Sequence, residues 1–208
     1  MPSEPARRPR VLLLMSGGLD SPVAGWLLKQ QGMDVSSVHF SLEPFTDDGP
    51  ERKSRQAAEA LGLGPLRVVR AGECFSELTR RCDHRLYFVL SKRFMLRTAS
   101  AMARADGFDA IATGENLGQV SSQTLDNLAC IHAAADVPLL APLLGYEKRE
   151  IVALCERLGV FELVTGPEVC DVLGPSNPRT MARAYQVAAA EARIDVDALT
   201  QRALKLFA

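Results

Sequence analysis

The sequence predicts an α/β domain built on a doubly wound parallel sheet of about five strands, with helices on both faces. Three observations predict it. Val11-Leu12-Leu13-Leu14-Met15 is a continuous apolar run, too short to cross a membrane, and it reads as a strand buried on both faces. Short β-branched or apolar runs alternate with helical periodicity along most of the chain, the pattern of repeated β-α-β units. Finally, 208 residues with 47% hydrophobic and 24% charged content are enough for one domain with a proper core.

Taken in order, residues 1–9 are polar and hold Pro2, Pro5 and Pro9, with no apolar stretch of the kind a secretory signal needs, so a flexible leader is expected. The first strand ends at Ser16-Gly17-Gly18, and a helix opens near Asp20 to Pro22 and stops near Gly32. Pro22 suits a first helical turn, where its missing N–H costs nothing. Val35 to Phe40 is a second strand with His39 at its end. Ser41 to Pro50 is a turn-rich loop, and Glu51 to Leu61 a helix with Ala57, Ala58 and Leu61 inward. Leu66 to Val69 is the third strand, His84 to Ala105 a loosely amphipathic helix, and Phe108 to Thr113 the fourth strand. Asp126 to Ala135 is helical, Pro138 to Leu140 is a short fifth strand, and Lys148 to Leu158 is an amphipathic helix ended by Gly159. Pro175 and Pro178 set off an Ala-rich helical tail, dividing the chain into a leader (1–9), a catalytic-sized domain (10–178) and a tail (179–208). In such sheets ligands sit beyond the carboxyl ends of the strands, and the first strand is expected to be central.

Composition removes several function classes. A net charge of −1 gives no global attraction to nucleic acid, so any RNA contact has to come from a local patch. Five cysteines without a Cys-x-x-Cys spacing argue against a disulfide framework or structural zinc site and for a reducing cytoplasm. No membrane segment is expected.

The chemistry concentrates at Ser16-Gly-Gly-Leu-Asp-Ser21. Adjacent glycines let backbone N–H groups approach a ligand, and the helix that follows offers a positive dipole end, so an anion such as phosphate fits. Ser16 and Ser21 add hydroxyls. Asp20 would repel a phosphate unless a cation lies between them, which suggests Mg2+ bridging Asp20 and a polyphosphate. The bland alternative is a Gly-rich turn with an ordinary capping Asp. The string is neither a Walker loop nor the dinucleotide Gly-x-Gly-x-x-Gly. Thr113-Gly-Glu-Asn-Leu-Gly-Gln-Val-Ser-Ser-Gln-Thr124 follows the fourth strand and should open on the same rim, although a polar loop of this kind is often only solvated.

Ser16-Gly-Gly-Leu-Asp-Ser21 resembles the SGGxDS signature of the PP-loop ATP pyrophosphatases, of the adenine nucleotide alpha hydrolase-like fold. The 113–124 string, with Val38-His-Phe40, Pro44-Phe-Thr46 and Lys92-Arg-Phe-Met-Leu-Arg97, resembles more narrowly the ATP-pyrophosphatase domain of the tRNA 4-thiouridine synthetases, the ThiI family. The resemblance covers about residues 10–178. It implies ATP binding by Leu14, Met15, Ser16, Gly17, Gly18, Asp20 and Ser21, with His39 and Phe40 on the adenine side. Lys92, Gly114 and Gln123 fall at further ATP contacts, Lys92 standing where an Arg is usual. On residue type alone, His39 reads equally as a packed or capping imidazole. The resemblance also implies that Cys170, in a turn-rich Glu-x-Cys segment followed by prolines, handles sulfur, whereas the local sequence alone reads as an ordinary surface thiol beside Glu168 and Asp171. Asp20 and Cys170 are then the two catalytic residues, Asp20 also the metal ligand, and ATP and Mg2+ the cofactors.

The activity implied is adenylation of a uridine carbonyl in tRNA with release of pyrophosphate, then replacement of oxygen by sulfur to give 4-thiouridine. Family members carry an RNA-binding THUMP region, some a rhodanese domain, and some archaeal relatives a Cys-x-x-Cys pair for an iron–sulfur cluster where Phe88 and Ser91 stand here. A stand-alone domain without a cluster is therefore expected. Its sulfur comes from a cysteine desulfurase, a rhodanese-type protein or free sulfide. RNA docking falls to a partner, a second subunit of a homodimer, or the basic residues Arg80, Arg81, Arg85, Arg93 and Arg97, which a surface helix could equally carry without function. Two other readings stay open: a PP-loop enzyme acting on a small carboxylate or amide, and an ATP-binding subunit without turnover.

Overall fold

The computed structural model describes residues 7–166 and 172–207. Five parallel strands, β1 (Arg10–Leu14), β2 (Asp34–Ser41), β3 (Leu66–Arg70), β4 (Ala110–Ala112) and β5 (Leu139–Leu140), form one sheet in the order β3-β2-β1-β4-β5. β1 is central, as expected. Val11 pairs with Val35 on one side and with Ala110 on the other. Chain order reverses beside β1, so the crevice between the carboxyl ends of β1 and β4 is the switch point where such sheets take their ligands.

Alternation along the strands divides the core in two. Leu12 faces one layer with Val38, Phe40, Val69 and Ile111, while Val11 and Leu13 face the other with Val35, Val68 and Ala112. On the second face lie α1 (Asp20–Gln30), α2 (Gly49–Leu61), α6 (Lys148–Arg157) and the single turn α7 (Phe161–Val164); on the first lie α3 (Gly72–Arg81), α4 (Tyr87–Asp106), α5 (Leu125–His132), α8 (Ala184–Glu191) and α9 (Val196–Lys205). Both α3 and α7 are additions to the sequence expectation. α3 buries Cys74, Phe75 and Leu78, a short apolar stripe interrupted by polar residues.

The C-terminal helices are not detached from this core. Val187, Ala190, Leu199 and Ala203 are buried with the residues of α4, and Phe207 bridges to Val69 of β3. The buried thiols of Cys82 and Cys130 point at the carbonyls of Ala190 and Ala182. All four described cysteines are free and buried, as the sequence suggests for them, and burial pushes the Cys155 thiol up to about 11. No helix among the described residues is long and apolar enough to cross a membrane.

Candidate active site

A cavity of about 740 Å³ opens at the switch point, and all twelve residues expected to bind ATP line it: Leu14, Met15, Ser16, Gly17, Gly18, Asp20, Ser21, His39, Phe40, Lys92, Gly114 and Gln123. The phosphate-type loop is self-folded. Ser16 N–H donates to Ser21 Oγ at 3.1 Å, and Gly18 N–H donates to Ser16 Oγ at 3.2 Å. Ser21 is nearly inaccessible, and its hydroxyl oxygen accepts within the loop and helps to shape it. Gly17 has φ +82°, and a Cβ there would lie 2.8 Å from the Pro50 carbonyl oxygen, so only glycine lets the loop nest under the start of α2. No side chain caps the N-terminus of α1, leaving its first-turn N–H groups for an anion.

The second loop joins the first backbone to backbone. A Cβ on Gly114 would stand 2.6 Å from Ser21 N and 2.7 Å from Ser21 Cα, so Gly114 is glycine because the loop after β4 lies directly on the start of α1. Farther along, Gln123 sits in a 3-10 turn at Ser121–Gln123. The side-chain oxygens of Thr113 and Gln123 and the amide nitrogen of Gln119 are buried without partners on this loop, and all three residues line the cavity. Unpaired buried polar atoms are costly, and a ligand with donors and acceptors would satisfy them. Glu115, also on the wall and buried, is held by His132 Nε2.

His39 is packed at the end of β2, with Nδ1 2.8 Å from the Met15 carbonyl and 3.3 Å from Ser54 Oγ. A carbonyl only accepts, so Nδ1 carries the proton and Nε2 is left as an acceptor. Burial holds its pKa below the ordinary 6.5, against an opposing pull from the Met15 bond. The unfolded chain therefore takes up a proton that the folded chain resists: stability is full above about pH 6.5 and falls as the pH drops below it. His39→Gln keeps a donor in reach of Met15, and it is expected to flatten the decline of Tm between about pH 7 and 5 relative to wild type. Parallel Tm profiles for the two proteins would remove His39 from the acid response. Phe40 is braced edge-on by Phe94, with ring centroids 6.4 Å apart, and Lys92 faces the cavity from α4.

Asp20 lies in the first turn of α1, and its Oδ1 accepts from Lys148 Nζ at 2.8 Å. Lys148 went unremarked in the sequence as a site residue. It opens α6, where a cation opposes the helix dipole, and that misplacement is the signal that could have exposed it. Among the described residues no three His, Cys, Asp or Glu converge to hold a metal. One carboxylate on a cavity wall nevertheless suits Mg2+, which keeps waters and takes phosphate oxygens with one or two protein carboxylates.

The basic run from Arg80 to Arg97 is not a single helix. Arg80 and Arg81 end α3, Cys82 is extended, and α4 begins only at Tyr87. Arg80, Arg81 and Arg85 are exposed. Arg93 and Arg97, expected as RNA contacts, turn inward instead: Arg93 Nε donates to Glu191 at 2.8 Å and Arg97 Nη1 to the same carboxylate at 2.5 Å. Both are tied to the single carboxylate of Glu191 on α8, so the structure gives them a packing position in place of the exposed one expected. Cys170, Glu168 and Asp171 lie outside the described residues. The segments on either side reach the cavity, through Thr165 and Gly166 before and Pro175 and Pro178 after.

The family model described as thiamine biosynthesis protein (ThiI) matches residues 7–196. A probable tRNA sulfurtransferase of Thermus thermophilus is 39% identical over 202 residues, covering 94% of this chain and 50% of the relative. Another from Finegoldia magna is 35% identical over 201 residues, covering 94% and 51%. A crystal structure of a 4-thiouridine synthetase–RNA complex with bound ATP superposes with a TM-score of 0.89 at 34% identity, covering 96% of this chain and 54% of that one. The chain thus spans about half the length of the curated relatives it matches.

Proposed function

This chain belongs to the ThiI family, and from that premise we propose that it binds ATP in the cavity between β1 and β4 and adenylates a uridine of tRNA for sulfur insertion. The observation that carries the reading is the backbone contact between Gly114 and the Ser16–Ser21 loop, which builds one polar, glycine-lined mouth from two distant segments. In this reading uridine O4 attacks the α-phosphorus. The O4–P bond forms, the bond from the α-phosphorus to the bridging oxygen breaks, and pyrophosphate leaves. Sulfur at the oxidation level of sulfide then attacks C4 and AMP departs, giving 4-thiouridine.

The protein's own contribution is placement and charge. Leu14, Met15, His39, Phe40, Lys92, Gly114 and Gln123 would hold the nucleoside end, and the loop N–H groups would meet the phosphates. Mg2+, held by Asp20, would supply charge neutralisation at the polyphosphate. Lys148 orients the Asp20 carboxylate and adds a positive charge to that wall. Cys170 would take sulfane sulfur from the persulfide of a separate donor protein, whose thiol is released, and a thiol reductant would free that sulfur as sulfide; free sulfide itself would attack C4 without passing through Cys170. Arg80, Arg81 and Arg85 are exposed and would meet RNA phosphates, with docking shared by a partner chain or by the second subunit of a homodimer, in the cytoplasm.

The test measures AMP, pyrophosphate and 4-thiouridine from Mg-ATP with unmodified tRNA and sulfide, each omitted in turn. Stimulation of AMP formation by tRNA, with thiolated product, is the expected result, and with a persulfide donor and a thiol reductant in place of sulfide, Cys170→Ser should still form AMP while losing the product. AMP formed equally without tRNA would move the substrate to a small molecule. ATP bound without AMP under any condition would reduce the chain to a binding module.

A further inference from the structure

We propose that Lys53 contacts the β- and γ-phosphates of the bound nucleotide and the pyrophosphate as it leaves. The inference rests on the ATP-splitting reading above and adds a residue that no motif marks. Lys53 follows Pro50 by three residues on α2, and residues so spaced share a helix face. Pro50 fixes which face that is. Its carbonyl oxygen lies 2.8 Å from the position of a Cβ on Gly17, so this side of α2 rests on the phosphate-type loop, and Lys53 projects from one turn farther along the same side. Lys53 is half-buried on the cavity wall, and its Nζ lies 3.0 Å from where a Cβ on Gly166 would be.

Most charged groups near Lys53 are already engaged. Asp20 accepts from Lys148, Glu115 is held by His132, and Asp47 accepts the Gly49 N–H. The neighbouring cations of α2 are matched as well, Arg52 by Asp48 and Arg55 by Glu51. Among the described residues no hydrogen bond or ion pair joins Lys53 to a carboxylate. A half-buried cation with no ion pair among the described residues is favoured by an arriving anion, and the adjoining anion-binding surface is the loop that Pro50 touches. The chemistry that fits is a multiply charged phosphate chain rather than a nucleoside. Pyrophosphate gains the most, because the loop N–H groups reach it from α1 and Lys53 from α2.

The experiment titrates the full chain, as wild type, Lys53→Ala and Lys53→Arg, with inorganic pyrophosphate and separately with AMP, by calorimetry in Mg2+ at two salt concentrations. Lys53→Ala is expected to weaken pyrophosphate binding about ten-fold, as befits a charge-assisted hydrogen bond, and to leave AMP binding within about two-fold. Lys53→Arg should retain most of the affinity, and the Ala variant should show a shallower salt dependence. Equal pyrophosphate affinity in wild type and Lys53→Ala would overturn the assignment, as would an equal loss for AMP. Neither titration needs tRNA, so turnover indifferent to tRNA would revise the substrate and leave Lys53 standing. A wild-type chain that binds neither ligand would overturn both readings.

Discussion

Gly114→Ala is expected to lower ATP affinity and AMP formation by on the order of 10²-fold, the cost of displacing reacting groups by roughly an ångström. The added methyl would stand 2.6 Å from Ser21 N, 2.7 Å from Ser21 Cα and 2.8 Å from the Asp20 carbonyl carbon. All three are backbone atoms of the first turn of α1, so no side chain can rotate away. Either the loop after β4 lifts from α1 or the start of α1 moves, and in both cases the N–H groups, Asp20 and Gln123 lose their common alignment. Gly145→Ala is the control, because a Cβ there meets nothing within 4 Å and its backbone is not in the left-handed region. Calorimetric ATP binding and AMP production would be measured for both, with Tm as the check on folding. A Gly114→Ala chain with wild-type affinity would mean that the two loops move independently and that their contact is incidental to binding.

The sequence made the sheet and its switch point legible because both follow from short-range signals. The run Val11 to Met15 reads as a buried strand, and the glycines at 17 and 18 mark a turn at its carboxyl end. The place of 113–124 directly after the fourth strand brought a second loop to the same rim, where Gly114 lies against Ser21. What escaped notice depends on partners far away in the chain. Lys148 meets Asp20 across 128 residues, and Glu191 meets Arg93 across 98. Periodicity carries no information about such pairs. The basic run illustrates the point: neighbouring Lys92 and Arg93 sit about 100° apart on a helix, so one faces the cavity and the other is buried under α8, yet both read alike as positive charge. α3 was missed because its buried stripe, Cys74, Phe75 and Leu78, is too short to establish a period amid Glu, Ser and Thr.

Glu191→Ala is expected to destabilise the fold by about 3–5 kcal/mol, the cost of removing one member of a buried ion pair. The Glu191 side chain is only 14% exposed and that of Arg93 only 10%, with Arg97 at 23%. Truncation leaves two guanidinium groups without a carboxylate, and water reaches Arg93 poorly. Arg93 also donates to the Cys130 carbonyl, so it cannot swing out without giving up a second bond in α5. In a domain of this size the loss corresponds to a Tm lower by on the order of 10 °C. Burial works to raise the Glu191 pKa, and the hydrogen bonds from Arg93 and Arg97 outweigh it, holding the carboxyl below its ordinary 4.5. The ion-pair stabilisation is therefore present above about pH 4.5 and is lost as pH falls through the lower folded value, so the gap in Tm between wild type and Glu191→Ala should close in acid. Exchanging the pair for apolar side chains, Arg93→Met with Glu191→Leu, should recover the part of the loss due to the buried Arg93 charge, while Arg97 stays without its carboxylate and the Cys130 carbonyl without its donor. If Glu191→Ala melts within about 2 °C of wild type, α8 is not tied to α4 through this carboxylate. If the loss appears in full and ATP affinity falls with it, the C-terminal helices are part of the scaffold that aims Lys92 into the cavity.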